Sequence, residues 1–240
     1  MQTVDNVLDS SDDMVSVSTA SEQPKTPNGP KFVLGVGNFE KFGMPQLRQV
    51  SMGMQGENRD YLLFHGDRMI MAKLDGQVLG LESHDNEIRN ACFKARKFLN
   101  ATQPNDVKWV RQGYLCNAVG DFYGYVDLNL KDGTTDAKFV LGSGTFERRG
   151  FPDLHQISFL SGQERDYLFM KDNRLIMVKL NGEIFGLKSN DKRIQDACME
   201  CRLFLNATND GAVTWLPQGE LCNKVGLHFD YSDLDDDLDD

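Results

Sequence analysis

The chain has 240 residues, 26 of them Lys or Arg and 36 Asp or Glu, for a formal charge of −10. Hydrophobic residues at 40% and aromatics at 10% supply enough apolar side chain for one large core or two small ones. This balance excludes a protein whose whole surface tracks nucleic-acid phosphates, and the chain has no apolar run of about 18 residues, the length that would signal a transmembrane helix.

Residues 1–29 carry five acids, Asp5, Asp9, Asp12, Asp13 and Glu22, against Lys25 alone. They are rich in Ser, Asp, Thr and Pro, and their few aliphatics keep no sustained period. The segment is therefore read as a disordered acidic tail, either solubilising or docking on a basic partner or patch. Met1-Gln2-Thr3-Val4-Asp5 has neither a basic nor an apolar stretch, so no signal peptide is expected. Ser10, with Asp13 three residues on, and Thr26-Pro27 resemble acid-directed and proline-directed phosphorylation sites.

Residues 30–132 hold 13 basic and 12 acidic side chains and predict a first domain. Residues 32–34 predict a strand running into a Gly-containing turn. Residues 49–54, 61–64, 68–74 and 78–81 are short apolar or alternating stretches that predict strands. Asp75-Gly76 between the last two is a hairpin signal, because both positions tolerate positive φ. Ile88, Ala91, Cys92, Ala95, Phe98 and Leu99 then follow the spacing that builds one apolar helix face, with Ser83 or Asp85 as N-cap. Residues 107–110 predict a further strand.

The same pattern returns over residues 133–230, which hold 12 basic and 13 acidic side chains. Lys31-Phe32-Val33-Leu34-Gly35 recurs as Lys138-Phe139-Val140-Leu141-Gly142, and Arg59-Asp60-Tyr61-Leu62 as Arg165-Asp166-Tyr167-Leu168. Phe98-Leu99-Asn100-Ala101-Thr102 recurs as Phe204-Leu205-Asn206-Ala207-Thr208, and Trp109 as Trp215. Asn181-Gly182 replaces Asp75-Gly76, with Ser189 or Asp191 as the second N-cap. A repeat of about 100 residues is domain-sized and too long for a solenoid unit. The fold class expected is α+β: two tandem copies of a small domain, each an antiparallel sheet packed against one long helix. The last segment, 231–240, contains six aspartates, Asp233, Asp235, Asp236, Asp237, Asp239 and Asp240, and no base. The acidity thus belongs to the two ends, and the middle of the chain is near neutral.

Gly35-Val36-Gly37-Asn38-Phe39-Glu40-Lys41-Phe42-Gly43, matched by residues 142–150, lacks the spacing of a dinucleotide or P-loop signature and reads as a structural turn. Four of the five cysteines sit at paired positions of the duplication, as small buried hydrophobes. Cys198-Met199-Glu200-Cys201 has no second ligand pair, so no zinc site is expected. The odd count points to a reducing compartment. Asn100-Ala101-Thr102 and Asn206-Ala207-Thr208 match glycosylation sequons by pattern and read better as helix ends. The four histidines show no ligand or triad spacing, and no catalytic residue, metal or other cofactor is expected.

Residues 69–81, running into Ile88, Ala91, Cys92, Ala95 and Leu99, resemble the second half of a double-stranded RNA-binding domain, and residues 175–205 resemble it likewise. The likeness lies in the hairpin with a tight turn, Gly80 or Gly186 in the last strand, and a small-residue helix face. It covers about a third of each copy. Where that family has phosphate-reading lysines, this chain has Asp85, Asn86 and Arg89, then Asp191, Lys192 and Gln195. The resemblance therefore implies copies of the kind that bind protein rather than duplex RNA.

The expected function is that of a non-enzymatic interaction protein, an adaptor or regulatory scaffold of the nucleus or cytoplasm, with a protein partner and no membrane partner. The alternative is RNA or single-stranded nucleic-acid binding through the basic helix face of the first copy, with the acidic tail as competitor. The candidate interaction face comprises Arg89, Phe93, Lys94, Arg96 and Lys97, with Lys192 and Arg193 in the second copy.

Overall fold

The computed structural model of the chain describes residues 32–125, 139–161 and 164–231. The readings of both acidic ends, the six tail aspartates and the boundary between residues 132 and 133 lie outside the described residues. In copy one the order is β1 (Phe32–Phe39), β2 (Met44–Met54), β3 (Asp60–His65), β4 (Arg68–Leu74), β5 (Gln77–Leu81), α1 (Asn86–Phe98), β6 (Val107–Val110) and α2 (Gln112–Phe122). Copy two repeats it as β7 (Phe139–Phe146), β8 (Phe151–Ser161), β9 (Glu164–Lys171), β10 (Arg174–Leu180), β11 (Glu183–Leu187), α3 (Lys192–Phe204), β12 (Thr214–Leu216) and α4 (Gln218–His228). Each copy builds a six-stranded sheet whose strands lie in chain order. The fold is mixed α and β in two tandem sheet units.

Local chemistry explains most boundaries. The β4–β5 hairpin turns on Asp75 and Gly76 with φ of 45° and 79°, and the β10–β11 hairpin on Asn181 and Gly182 with φ of 49° and 86°. Two successive positive φ values give the twist that matches the flanking strands. Asp85 caps α1 by accepting from the Glu87 and Ile88 amides, and Asp191 caps α3 by accepting from Arg193.

Three features differ from the sequence expectation. The strand that begins at Phe32 does not turn at Gly35; it continues to Phe39, and the chain turns only through a short 3-10 segment, Glu40–Phe42, that ends at Gly43 with φ 72°. Gly35 and Gly37 serve close packing instead, since a Cβ there would stand 2.9 Å from Ser51 Oγ and 2.6 Å from Gln49 Nε2 on β2. The sheet is not wholly antiparallel, because β6 pairs parallel to β5 and β12 parallel to β11. A strand–helix–strand crossover returns the chain to the same end of the sheet and makes that pair parallel. Finally, each copy has two helices rather than one.

The two helices use opposite faces of their sheet. On one face Phe98 of α1 packs edge-on against Phe39 and Tyr61, and Cys92 Sγ donates to the Ile70 carbonyl of β4. On the other, α2 lies against Leu74 and Leu79, and its Tyr114 accepts from Lys108. Strands covered on both sides are apolar on both sides, as Met69, Ile70, Met71 and Ala72 are in β4.

The repeats meet reciprocally, as in an isologous pair. α2 reaches β7 while α4 reaches β1, and β1 touches β10 while β4 touches β7. Tyr123, Tyr125, Phe159 and Phe229 cluster there with ring centroids 5.0–6.4 Å apart. The faces that carry α2 and α4 are therefore turned inward, and those that carry α1 and α3 outward.

Candidate functional site

α1 buries Ile88, Ala91, Cys92 and Ala95, which leaves its far side to Arg89, Phe93, Lys94, Arg96 and Lys97. Because α1 packs over β3 and β4, the outer face of β5 and β6 stays open beside it. Trp109 of β6 fills part of that space. Its indole lies on Gly80, where a Cβ would come within 2.7 Å of the ring. Between α1 and Trp109 runs a groove of about 400 Å³ lined by Leu81, Glu82, Ser83, Arg89, Cys92, Phe93, Arg96 and Trp109. Phe93 is 54% exposed and Trp109 41%. Two large rings left in water on either side of one groove are unusual for a surface that serves only the fold.

The basic residues of this face divide into distinct roles. Arg96 donates from Nε to the Ala101 carbonyl and from Nη2 to the Thr102 and Gln103 carbonyls, at 2.9–3.2 Å. Its guanidinium also lies 6.0 Å from the Trp109 ring centre. Arg96 thus closes the turn after α1 and braces one wall of the groove. Lys97 Nζ sits 4.8 Å over the Phe93 ring. Arg89 lines the groove, whereas Lys94 stands on the adjoining helix surface and does not. The structure brings Arg89, Phe93 and Arg96 together, with Lys97 covering Phe93.

The second copy repeats the groove at the same place, with a volume of about 270 Å³ and a lining of Leu187, Lys188, Ser189, Gln195, Met199, Arg202 and Trp215. Trp215 lies on Gly186 as Trp109 lies on Gly80. Arg202 donates to the Ala207, Thr208 and Asn209 carbonyls as Arg96 does to its own. Met199 and Trp215 are 49% and 43% exposed. Lys192 and Arg193 do not join this groove. Lys192 pairs with Asp196 one turn along α3, and Arg193 pairs with Asp191 at the helix start.

The two tryptophans, absent from the face expected from sequence, are the main addition. Each follows a buried valine by two positions on an edge strand, with an exposed neighbour before it. Their recurrence in both copies was the available signal. Only the fold could place them opposite α1 and α3.

A second polar cluster lies at the contact between repeats. Tyr125 Oη donates to Asp166 Oδ2 at 2.6 Å, and His228 Nε2 lies 2.9 Å from the same oxygen and 3.0 Å from Tyr125 Oη. Asp166 Oδ1 accepts from the Asn181 amide. Burial raises the Asp166 carboxyl, but the hydrogen bonds from His228, Tyr125 and Asn181 outweigh it and hold the group below the usual carboxylate range. Burial and the Asp166 charge push the Tyr125 phenol far up. In copy one Tyr231 and Asp60 make the matching contact, but Phe122 occupies the place of His228. There burial dominates, and the Asp60 carboxyl is raised.

Among the described residues no group of three or more His, Cys, Asp and Glu side chains is placed to hold a metal, and no helix is long and apolar enough to cross a membrane. All five cysteines are buried. Burial pushes the Cys92 thiol up to about 11 and the Cys198 thiol to about 12. No family model, curated protein or solved structure matches the chain.

Proposed function

We propose that the chain is a non-enzymatic interaction protein, an adaptor or regulatory scaffold of the nucleus or cytoplasm, whose two outward grooves take extended segments of protein partners. The observation that carries this reading is the twofold recurrence of one exposed pair: Phe93 with Trp109, and Met199 with Trp215. Exposed aromatic and Met side chains around a concave apolar strip are typical anchors for partner side chains. Binding is favoured over catalysis because the thiols are held protonated by burial and the His228, Asp166 and Tyr125 cluster is engaged in joining the repeats. The degenerate resemblance to RNA-binding domains, with Asp85 and Asp191 at the helix starts, points the same way.

The grooves differ in charge, so they select different segments. Arg89, Lys94 and Lys97 surround the first, with Glu82 as its one acid, whereas their counterparts around the second are Gln195, Glu200 and Leu203, with Lys188 in place of Glu82. The first suits an apolar segment flanked by acids, and the second a more apolar one. A display library of extended peptides tests this. Phe93→Ala should abolish binding of the acidic–apolar class, and Met199→Ala that of the other. Retention of every bound peptide by both variants sinks the reading.

A second reading rests on the four basic side chains Arg89, Lys94, Arg96 and Lys97 beside two exposed rings in copy one. Base stacking on Phe93 and Trp109 would contribute about 1–3 kcal/mol per base. It requires that a panel of single-stranded RNAs and DNAs bind in a salt-dependent way and that Arg89→Glu weaken them. An unchanged panel removes it.

A further inference from the structure

We propose that residues 12–17 of the same chain, Asp12-Asp13-Met14-Val15-Ser16-Val17, occupy the groove between α1 and Trp109. This inference rests on the groove being a docking site for extended segments. It makes the chain its own competitor, so that a partner must displace an internal ligand.

Charge and side-chain chemistry select this segment. Two adjacent acids precede three apolar residues within six positions. The groove presents complementary groups: Arg89 in its lining and Lys94 on the adjoining helix surface, both unpaired with acids among the described residues, beside the apolar side chains of Leu81, Cys92 and Phe93. The other charged lining residues are Glu82 and Arg96, the latter turned to the carbonyls of Ala101, Thr102 and Gln103, and Asp85 and Glu87 at the start of α1 are turned to the helix cap and to His65. The second groove has Gln195 where the first has Arg89 and Lys188 where it has Glu82, but its helix surface carries Glu200 and Leu203 in place of Lys94 and Lys97, so it lacks the basic rim that would meet two adjacent acids.

Reach separates the two acidic ends of the chain. The Phe32 and Tyr231 rings are 4.9 Å apart, so both ends leave from one corner of the first sheet. The groove lies four strands across and near the far end of β5, about 25 Å away by strand spacing and rise. The 14 residues between Val17 and Phe32 extend to about 45–50 Å, which covers that distance with slack. The nine residues after Tyr231 extend to only about 30 Å and start on the inward face. Rounding the sheet edge leaves that end too little chain to lie along α1.

The test uses the full chain with Trp215→Phe, which leaves Trp109 as the one tryptophan. Deleting residues 1–20 should raise acrylamide quenching of Trp109, and a synthetic peptide of residues 9–20 should reverse the rise. The full chain should bind that peptide about ten-fold more weakly than the shortened chain, as expected for a tethered competitor at about 1 mM effective concentration whose own dissociation constant is about 0.1 mM. Arg89→Glu in the shortened chain should remove peptide binding. Equal quenching with and without residues 1–20 overturns the proposal, as does protection by a peptide of residues 231–240 in its place. If library peptides bind the shortened chain in an Arg89-dependent way while the 9–20 peptide does not, this inference falls and the groove reading stands. If no peptide binds, both fall.

Discussion

Tyr231 Oη donates to Asp60 Oδ2 at 2.8 Å, across 171 residues of chain and between the two repeats. Asp60 Oδ1 meanwhile accepts from the Asp75 amide in the hairpin of its own sheet. Tyr125 and Asp166 make the reciprocal contact at 2.6 Å. Each repeat therefore completes the other's hairpin anchor. Because hydrogen bonds to buried charged groups contribute about 1.5–3 kcal/mol, Tyr231→Phe and Tyr125→Phe should each lower stability by that order in urea. The double variant should split a single unfolding transition into two. Unchanged midpoints in both single variants would contradict this.

The two aspartates should respond oppositely to neutralisation. Asp60 has a raised carboxyl, so its ionisation opposes folding as pH rises from the unfolded value near 3.9 through the raised one. Asp60→Asn should be neutral or stabilising at pH 7. Asp166 has a lowered carboxyl, so its stabilisation is complete above the unfolded value and is lost as pH falls through the lowered one. Asp166→Asn should destabilise at pH 7 and flatten the acid limb of a stability–pH curve. Thermal midpoints from pH 2.5 to 7.5 (about the range that spans both groups) check the signs.

Gly80→Ala should be costly and Gly37→Ala cheap. A Cβ at Gly80 would meet Trp109 ring carbons at 2.7 and 2.8 Å, and Val107 at 2.9 Å. Relief requires the indole to move, at a cost of about 1–3 kcal/mol. The neighbour at Gly37 is the Gln49 side chain, which can swing away. Tryptophan emission should shift red in the first variant and stay constant in the second.

Arg96 and Arg89 are both basic residues of one helix face, yet their alanine variants should separate cleanly. Arg96→Ala removes donors to three carbonyls and should lower stability by about 1–3 kcal/mol. Arg89→Ala, on an exposed position, should stay within about 0.5 kcal/mol of the parent and act only on binding. Denaturation curves paired with peptide titrations distinguish the two.

The duplication, the hairpins and α1 were legible because each is written in local pattern: Asp75-Gly76, the Asp85 cap, and Ile88, Ala91, Cys92 and Ala95 on one face against charges on the other. α2 was not. Leu115, Cys116, Asn117, Val119 and Gly120 are buried around much of its circumference. It lies on its own sheet and against the other repeat at once, so it lacks the polar face that makes a helix visible. The basic stripe of α1 was legible too, but its division of labour was not. That Arg96 turns back on residues 101–103, and that Trp109 faces it, depends on a strand placed by the sheet.

Covalent linkage gives the reciprocal contact a historical meaning. In two separate chains every change is made twice, on both sides of the axis. In one chain each half is free to change by itself, at the contact as well as away from it. Asp60 and Asp166, and Tyr125 and Tyr231, are the same in both halves, while Phe122 and His228 differ beside them, as do Arg89 and Gln195, and Phe93 and Met199, on the outer faces. The inner contact keeps its tyrosine and aspartate in both halves, and the two outer grooves differ in their lining.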